Sequence, residues 1–324
     1  MVKNMFKLTF RYYGSSDIAL VGIIFIALFA LMSLLTKGGL LRQDSLQSIA
    51  FQIPLLGILS LAQMGPMLTG GIDLAIISTT SLSGLISGMI LTGSQSSCSV
   101  LLAILAGMSL SLGVGALNGF LIAIASIPAI MATLGMMIFI EGVGLVISKG
   151  ATIAGFPKSF LYIGGGTLLG VPMPFIIFLG CMAIMILLLN KTRWGLNVYM
   201  LGSNRIATLF SGVNNRSVEF RTYLLTGFFV GVASQVMAAR FNAAQASYGE
   251  SYLLQTVLAC VLGGVSPSGG FGKVIGLFGA VAVLQIVATG FNLMRLSLHL
   301  ATALWGIILL FVIVINRTFF KARI

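Results

Sequence analysis

The sequence predicts an all-α membrane protein of about ten transmembrane helices, with broken or re-entrant segments and both termini in the cytoplasm. Three observations lead to that architecture. The 324 residues are 58% hydrophobic and only 7% charged, whereas soluble domains carry about a quarter charged residues, and mean hydropathy is +1.10. Apolar runs of about 18 or more residues, each long enough to cross roughly 30 Å of hydrocarbon, recur along the chain. The basic residues between those runs fall mainly on one side.

Hydropathy read together with chain breakers places ten candidate crossings at about 18–36, 46–68, 74–92, 99–125, 129–148, 171–190, 222–240, 254–267, 274–292 and 298–316. The first follows Lys3, Lys7 and Arg11, as a secretory signal would, but its apolar stretch is longer than a signal core and no small-residue cleavage site follows. It is therefore expected to be a retained span. With the N-terminus inside, the inner segments hold 12 of the 18 basic residues: Lys3, Lys7, Arg11, Lys191, Arg193, Arg205, Arg216, Arg221, Lys273, Arg317, Lys321 and Arg323. Lys37, Arg42, Lys149, Lys158, Arg240 and Arg295 fall outside. That bias orients ten spans with both ends inward.

Two connections are long enough to do more than turn. The outer one, about 149–170, contains Pro157 and Gly164-Gly165-Gly166 and is expected to form a short element at the membrane surface. The inner one, 191–221, is polar, basic and moderately helical in composition, which suits the docking of a cytoplasmic partner.

Several function classes find no support. The net charge of +12 comes from residues scattered between spans rather than from a basic-aromatic cluster, so topology explains it and nucleic acid does not. Cys98, Cys181 and Cys260 lie far apart and His299 is the sole histidine, which argues against a disulfide framework or a histidine-based metal site. An intramembrane enzyme would need a His-rich, paired-Asp or Ser-Lys constellation within the spans, and none is evident.

Small residues mark where helices approach closely. In the fourth span Gly107, Ser111, Gly115 and Gly119 form one stripe, and Gly272, Gly276 and Ala280 repeat the device near the ninth. Asn118 shares the first stripe's face, where an amide either ties helices together or lines a path. Between spans two and three, Gly70, Gly71 and Asp73 interrupt an otherwise apolar region. The glycines let the backbone turn, and the carboxylate can satisfy freed N–H groups at the start of the next helix.

Gly70-Gly71-Ile72-Asp73-Leu74 strongly resembles the G-G-I-D-L-S hallmark of the ribose-type sugar permeases of bacterial ABC importers, with Ala75 in place of the serine. Pro128-Ala129-Ile130-Met131-Ala132-Thr133-Leu134-Gly135 is similar to that family's P-A-F-I-A-T-L-G segment. Thr192 to Gly195, then Gly202, Asn204, Ala207, Ser211 and Gly212, resemble its T-x-x-G and G-x-N-x-x-A-x-x-x-S-G-I loop. Val261-Leu262-Gly263-Gly264-Val265-Ser266 with Gly269-Gly270-Phe271-Gly272 resembles V-L-G-G-x-S-x-x-G-G-x-G. These blocks run in the family's order over roughly residues 45–317.

The resemblance implies a single transmembrane permease domain over residues 1–324, resident in the bacterial inner membrane. It also implies a second permease copy or a homologous permease, a periplasmic substrate-binding protein, and an ABC ATPase with two nucleotide-binding domains that carries the ATP and Mg. Gly202, Asn204, Arg205, Ala207, Ser211 and Gly212 would couple to that ATPase. Consistent with a separate ATPase, Gly269 to Val274 lacks the spacing and the Ser or Thr of a P-loop. Gln52, Gln63, Asp73, Asn118, Glu141, Asn242, Gln245 and Gln285 are expected along the translocation path, since amides and hydroxyls can replace a sugar's hydration without holding it tightly.

Three departures from the family pattern concern charge. Glu141 stands where relatives commonly carry Arg, Ser251 to Gln255 lacks the family's acids, and position 205, often small or acidic, is Arg205. Glu141 either is a helix-end residue that reaches outer water or pairs with Arg240, or has a role in transport. An ion-coupled secondary transporter would also show many spans, broken helices and midplane polar groups. Only Asp73 and Glu141 could serve it.

Overall fold

The computed structural model describes residues 26, 28–93, 96–297, 299–301 and 303–310. About half of the first expected crossing falls outside them, at 18–25 and 27, and the terminal basic residues and everything beyond 310 do so entirely; residues 28–35 and most of 299–310 are helical.

The bundle is built from α1 (Gln43–Leu68), α2 (Ile76–Gly93), α3 (Ser97–Gly119, continued by a wide turn Phe120–Ile124), α4 (Ala129–Ser148), α5 (Lys158–Gly165), α6 (Met173–Lys191), α7 (Arg193–Ser203), α8 (Arg205–Phe210), α9 (Asn215–Phe241), α10 (Ser251–Leu262) and α11 (Val274–Leu293). Seven of these, α1, α2, α3, α4, α6, α9 and α11, are long and apolar enough to cross a membrane.

Helix starts follow local chemistry. The Ser96 hydroxyl accepts the Ser99 N–H at 3.2 Å to open α3, Thr192 Oγ1 accepts the Gly195 N–H at 3.1 Å to open α7, and Asn214 Oδ1 accepts the Ser217 N–H at 3.1 Å to open α9. That last cap explains why α9 begins seven residues before the expected crossing: the charged turn Asn215 to Arg221 is too polar for a hydropathy window yet continues the same helix.

The eighth expected crossing is corrected. Residues 254–267 do not form a full span; α10 has 12 residues, about 18 Å at about 1.5 Å per residue, against roughly 30 Å of hydrocarbon. It stops at the Gly263-Gly264 turn, where Gly264 has φ +80°. The irregular stretch before it is partly buried in protein, with Ala243, Ala244 and Ala246 covered, so its backbone is shielded from lipid.

The core centres on α9, which packs against α3, α1, α2 and α5. The small-residue stripe of α3 meets α9: a Cβ at Gly115 would stand 2.6 Å from the Tyr223 carbonyl oxygen and 3.0 Å from Gly227 Cα, and one at Gly119 would stand 3.0 Å from the Phe220 oxygen. Backbones approach this closely only where side chains are absent. Buried hydroxyls tie α2 into the same seam. Ser83 Oγ donates to the Gly107 carbonyl at 2.7 Å and lies 2.8 Å from Ser234 Oγ, and Gln235 Nε2 donates to Ser87 Oγ at 3.1 Å.

The connection at 149–170 holds the short element expected there, α5, and folds onto the bundle. Strand β1 (Ile153–Ala154) pairs antiparallel with β4 (Ala243–Ala244), and β2 (Thr167–Leu168) pairs with β3 (Val171–Pro172). Between the pairs α5 buries Phe160 and Gly164, with Gly164 against the backbone of Ala239 and Arg240.

Candidate functional site

Three glycine-bearing stretches distant in sequence meet at one end of the bundle. The first is the break after α1, where Thr69 Oγ1 and the Gly71 N–H both donate to the Pro66 carbonyl and Gly70 turns with φ +84°. The second is the end of α7 at Gly202-Ser203. The third is the turn between α10 and α11, where the Gly270 N–H donates to the Leu68 carbonyl at 2.9 Å. Gly202 packs directly against the Leu68 oxygen and the Gly270 nitrogen, leaving no room for a Cβ, and a Cβ at Gly269 would lie 2.9 Å from both Gly202 Cα and the Gly70 nitrogen. Tyr199 fastens the arrangement by donating its hydroxyl to the Gly272 carbonyl at 2.9 Å. Burial pushes that phenol up to about 12, so it stays a donor at neutral pH.

Beside this junction lies α8. Asn204 caps it, its Oδ1 accepting the Ile206 and Ala207 N–H groups at 3.0 and 2.9 Å. Asn204, Arg205, Ala207, Ser211 and Gly212 are exposed, and Gly202 is half-buried at the junction. Ile206, Leu209 and Phe210 also face outward, Phe210 at 86% exposure, on a polar, basic connection. Arg205 forms a two-pronged ion pair with Glu219 of α9, Nη1 to Oε1 at 3.0 Å and Nη2 to Oε2 at 2.8 Å, and Asn215 Nδ2 donates to the Arg205 carbonyl at 2.8 Å. The pair borders a cavity of about 370 Å³ that reaches Gly70, Gly71, Ser126 and Pro128.

The polar residues expected along the path fall into separate groups. Gln52 and Gln285 are brought together: Gln285 Nε2 donates to Gln52 Oε1 at 2.8 Å, and Gln52 Nε2 donates to Ser48 Oγ at 2.6 Å. Gln63 is fully buried, with neither amide atom hydrogen-bonded within the described chain. Asp73 accepts the Ala75 N–H on Oδ1 at 2.9 Å at the entry to α2. Desolvation by burial lifts its carboxyl to about 6, against the lowering pull of the Ala75 N–H and the Asn118 amide. Asn118 is buried beside it with Oδ1 unpartnered, as is the hydroxyl of Tyr223.

Asn242 sits in the left-handed region at φ 49°, and its Oδ1 accepts the Phe156 N–H at 2.8 Å, so its amide oxygen pins the outer connection. Gln245 is half-buried beyond it. Glu141 is half-buried on α4, and the pairing with Arg240 does not form: the Arg240 guanidinium donates to the Phe51 carbonyl instead. The acceptor that Arg240 uses is a backbone group, which hydropathy cannot reveal.

Sequence reasoning missed Glu219, Tyr199 and Tyr223. Glu219 carried a usable signal, being one of six acidic residues in the chain and the sole one in the basic inner connection. The tyrosines carried none, because Tyr199 bonds a backbone carbonyl and the Tyr223 hydroxyl has no hydrogen-bond partner among the described residues.

A family model described as branched-chain amino acid transport system / permease component matches residues 45–315. The chain belongs to that family. The permease is 32% identical to the ribose import permease protein of Bacillus subtilis (strain 168) over 298 residues, 90% of this chain and 91% of the relative. It is 28% identical to the L-arabinose transport system permease protein of Escherichia coli (strain K12) over 279 residues, 86% and 84% of the two chains. It is 32% identical to the autoinducer 2 import system permease protein of Escherichia coli O9:H4 (strain HS) over 265 residues, 80% and 79%. No solved structure matches it. Membership in a permease family favours the transport-subunit reading over the ion-coupled one, and with seven span-capable helices it makes the permease a multi-pass membrane protein.

Proposed function

We propose that this chain is the membrane-spanning permease subunit of an ATP-driven ABC importer, moving a monosaccharide or sugar-like solute handed over by a periplasmic binding protein. The observation that carries this reading is the exposed helix α8, with Ile206, Leu209 and Phe210 facing outward, braced on a glycine junction built from the three motif blocks. An apolar face on a polar, basic connection is a seat for a protein partner, and here the partner is an ABC ATPase with two nucleotide-binding domains. ATP and Mg belong to that ATPase. The near full-length similarity to ribose, arabinose and autoinducer 2 permeases supports a small polyhydroxylated cargo.

In this reading residues 1–324 form one transmembrane domain in the bacterial inner membrane, with about ten membrane helices of which the short α10 is a broken one, both termini cytoplasmic, and 191–221 as the coupling loop. A second copy or a homologous permease completes the pathway. Gln52, Gln63, Asp73, Asn118, Glu141, Gln245 and Gln285 offer polar groups to the solute along it, and Asn242 shapes its outer rim. Coupling to the ATPase runs through Gly202, Asn204, Arg205, Ala207, Ser211 and Gly212.

The test is uptake of radiolabelled D-ribose and L-arabinose into proteoliposomes holding the permease, its ATPase and its binding protein. Uptake that requires enclosed ATP supports the reading. Uptake driven by an ion gradient with no ATPase present would overturn it.

A further inference from the structure

We propose that the Arg205–Glu219 ion pair is the brace through which the coupling segment moves α9, with Glu219 as a positioning residue. This rests on the importer reading above. Helix α8 has six residues and a largely exposed surface; Thr208 is its buried member. A helix so short has little packing of its own to hold it. Its side-chain ties to the bundle begin at Arg205, whose guanidinium grips Glu219 with both prongs while its carbonyl accepts from Asn215 Nδ2.

The two partners are unequally placed. The Arg205 side chain is 53% exposed and Glu219 only 6%. A carboxylate so covered depends on its partner, because a buried charge left alone is far more costly than a surface pair is favourable. The fork geometry also fixes orientation: two parallel N–H···O bonds resist rotation of α8 about the contact, which a single ammonium contact would not. Glu219 lies in the second turn of α9, the helix that packs on α1, α2, α3 and α5. On the other side of the pair lies the cavity shared with Gly70, Gly71, Ser126 and Pro128. A push on α8 therefore reaches the hub helix through the ion pair, and the break after α1 through the packing of Gly202 on the Leu68 oxygen.

The experiment uses the permease co-purified with its ATPase in lipid nanodiscs, with ATP as the probe, and reads kcat and KM for ATP, the amount of ATPase bound, and the unfolding midpoint. Glu219→Gln should lower kcat about fivefold or more while KM, bound ATPase and midpoint hold; Arg205→Gln should lower kcat likewise and, by leaving the covered carboxylate alone, the midpoint as well; and the exchange Arg205→Glu with Glu219→Arg should restore at least about half of the lost kcat. Arg205→Lys, an exposed and conservative change, should still lower kcat more than about twofold, since an ammonium cannot span both oxygens. Wild-type kcat in the single variants, a loss that only tracks lost ATPase, or an exchange as impaired as the singles would each overturn the brace. Failure of the unaltered permease to bind any ATPase would instead remove the importer reading, and the brace with it.

Discussion

Replacing Gly202 with alanine would press a methyl group into the Leu68 carbonyl oxygen and the Gly270 amide nitrogen, two backbone atoms that are themselves joined by a 2.9 Å hydrogen bond. Neither can turn aside as a flexible side chain would. Overpacking of this kind costs about 1–3 kcal/mol and loss of the hydrogen bond about 1 kcal/mol, so the expected destabilisation is roughly 2–4 kcal/mol. For a chain of this size that lowers the unfolding midpoint by on the order of 5 °C or more. The assay is thermal unfolding of the purified protein in detergent, paired with uptake in proteoliposomes. Gly113→Ala is the control: a Cβ there meets nothing within 4 Å, and alanine favours helix by about 1 kcal/mol. If Gly202→Ala unfolds at the same temperature as Gly113→Ala and transports normally, the three-way junction does not hold these segments together and the reasoning fails.

Asp73 predicts a pH dependence. Its carboxyl is raised from 3.8 to about 6 in the folded protein, so the native state binds more protons than the unfolded one across that window. The stability this site favours is complete below 3.8 and is lost as pH rises through 6, by about 3 kcal/mol for a shift of roughly two units. Asp73→Asn should remove that fall, so midpoints of the two proteins should diverge between pH 4 and 7, with the asparagine form the more stable at the upper end; parallel curves would refute it. Phe178 stacks on Phe278 with ring centroids 5.9 Å apart and fills the space against Gly57, so Phe178→Ala should cost about 3–5 kcal/mol, measured as denaturant or thermal unfolding. Glu141→Gln should reduce solute uptake without shifting the midpoint, because the Arg240 guanidinium is satisfied elsewhere; unchanged uptake would remove Glu141 from the path.

The long apolar helices were legible because hydropathy and breakers act locally. The expected 129–148 coincides with α4, and Pro128 explains why it starts there. The α3 stripe correctly pointed to close helix packing, but its partner, Gly227 on α9, was not readable from spacing alone. The early start of α9 and the short α10 escaped because hydropathy scores side chains while the backbone decides where a helix runs on or stops. In the candidate site, the motif order marked the segments that meet without showing that Leu68, Gly202 and Gly270 touch. The Gln52–Gln285 contact joins residues 233 positions apart, and only the folded packing of α1 on α11 makes it.

The continuity of α9 carries a consequence for timing. Its 27 residues span about 40 Å at about 1.5 Å each, from the Asn215 end beside α8 to the Asn242 end that clasps the connection between α4 and α6. Among the described residues no glycine-proline hinge or wide turn interrupts it, so it behaves as a stiff lever. A tilt imposed at one end must emerge at the other within the same stroke. In the importer reading proposed above, one rigid body would thus link the two faces of the membrane directly, with no relay of successive rearrangements between them.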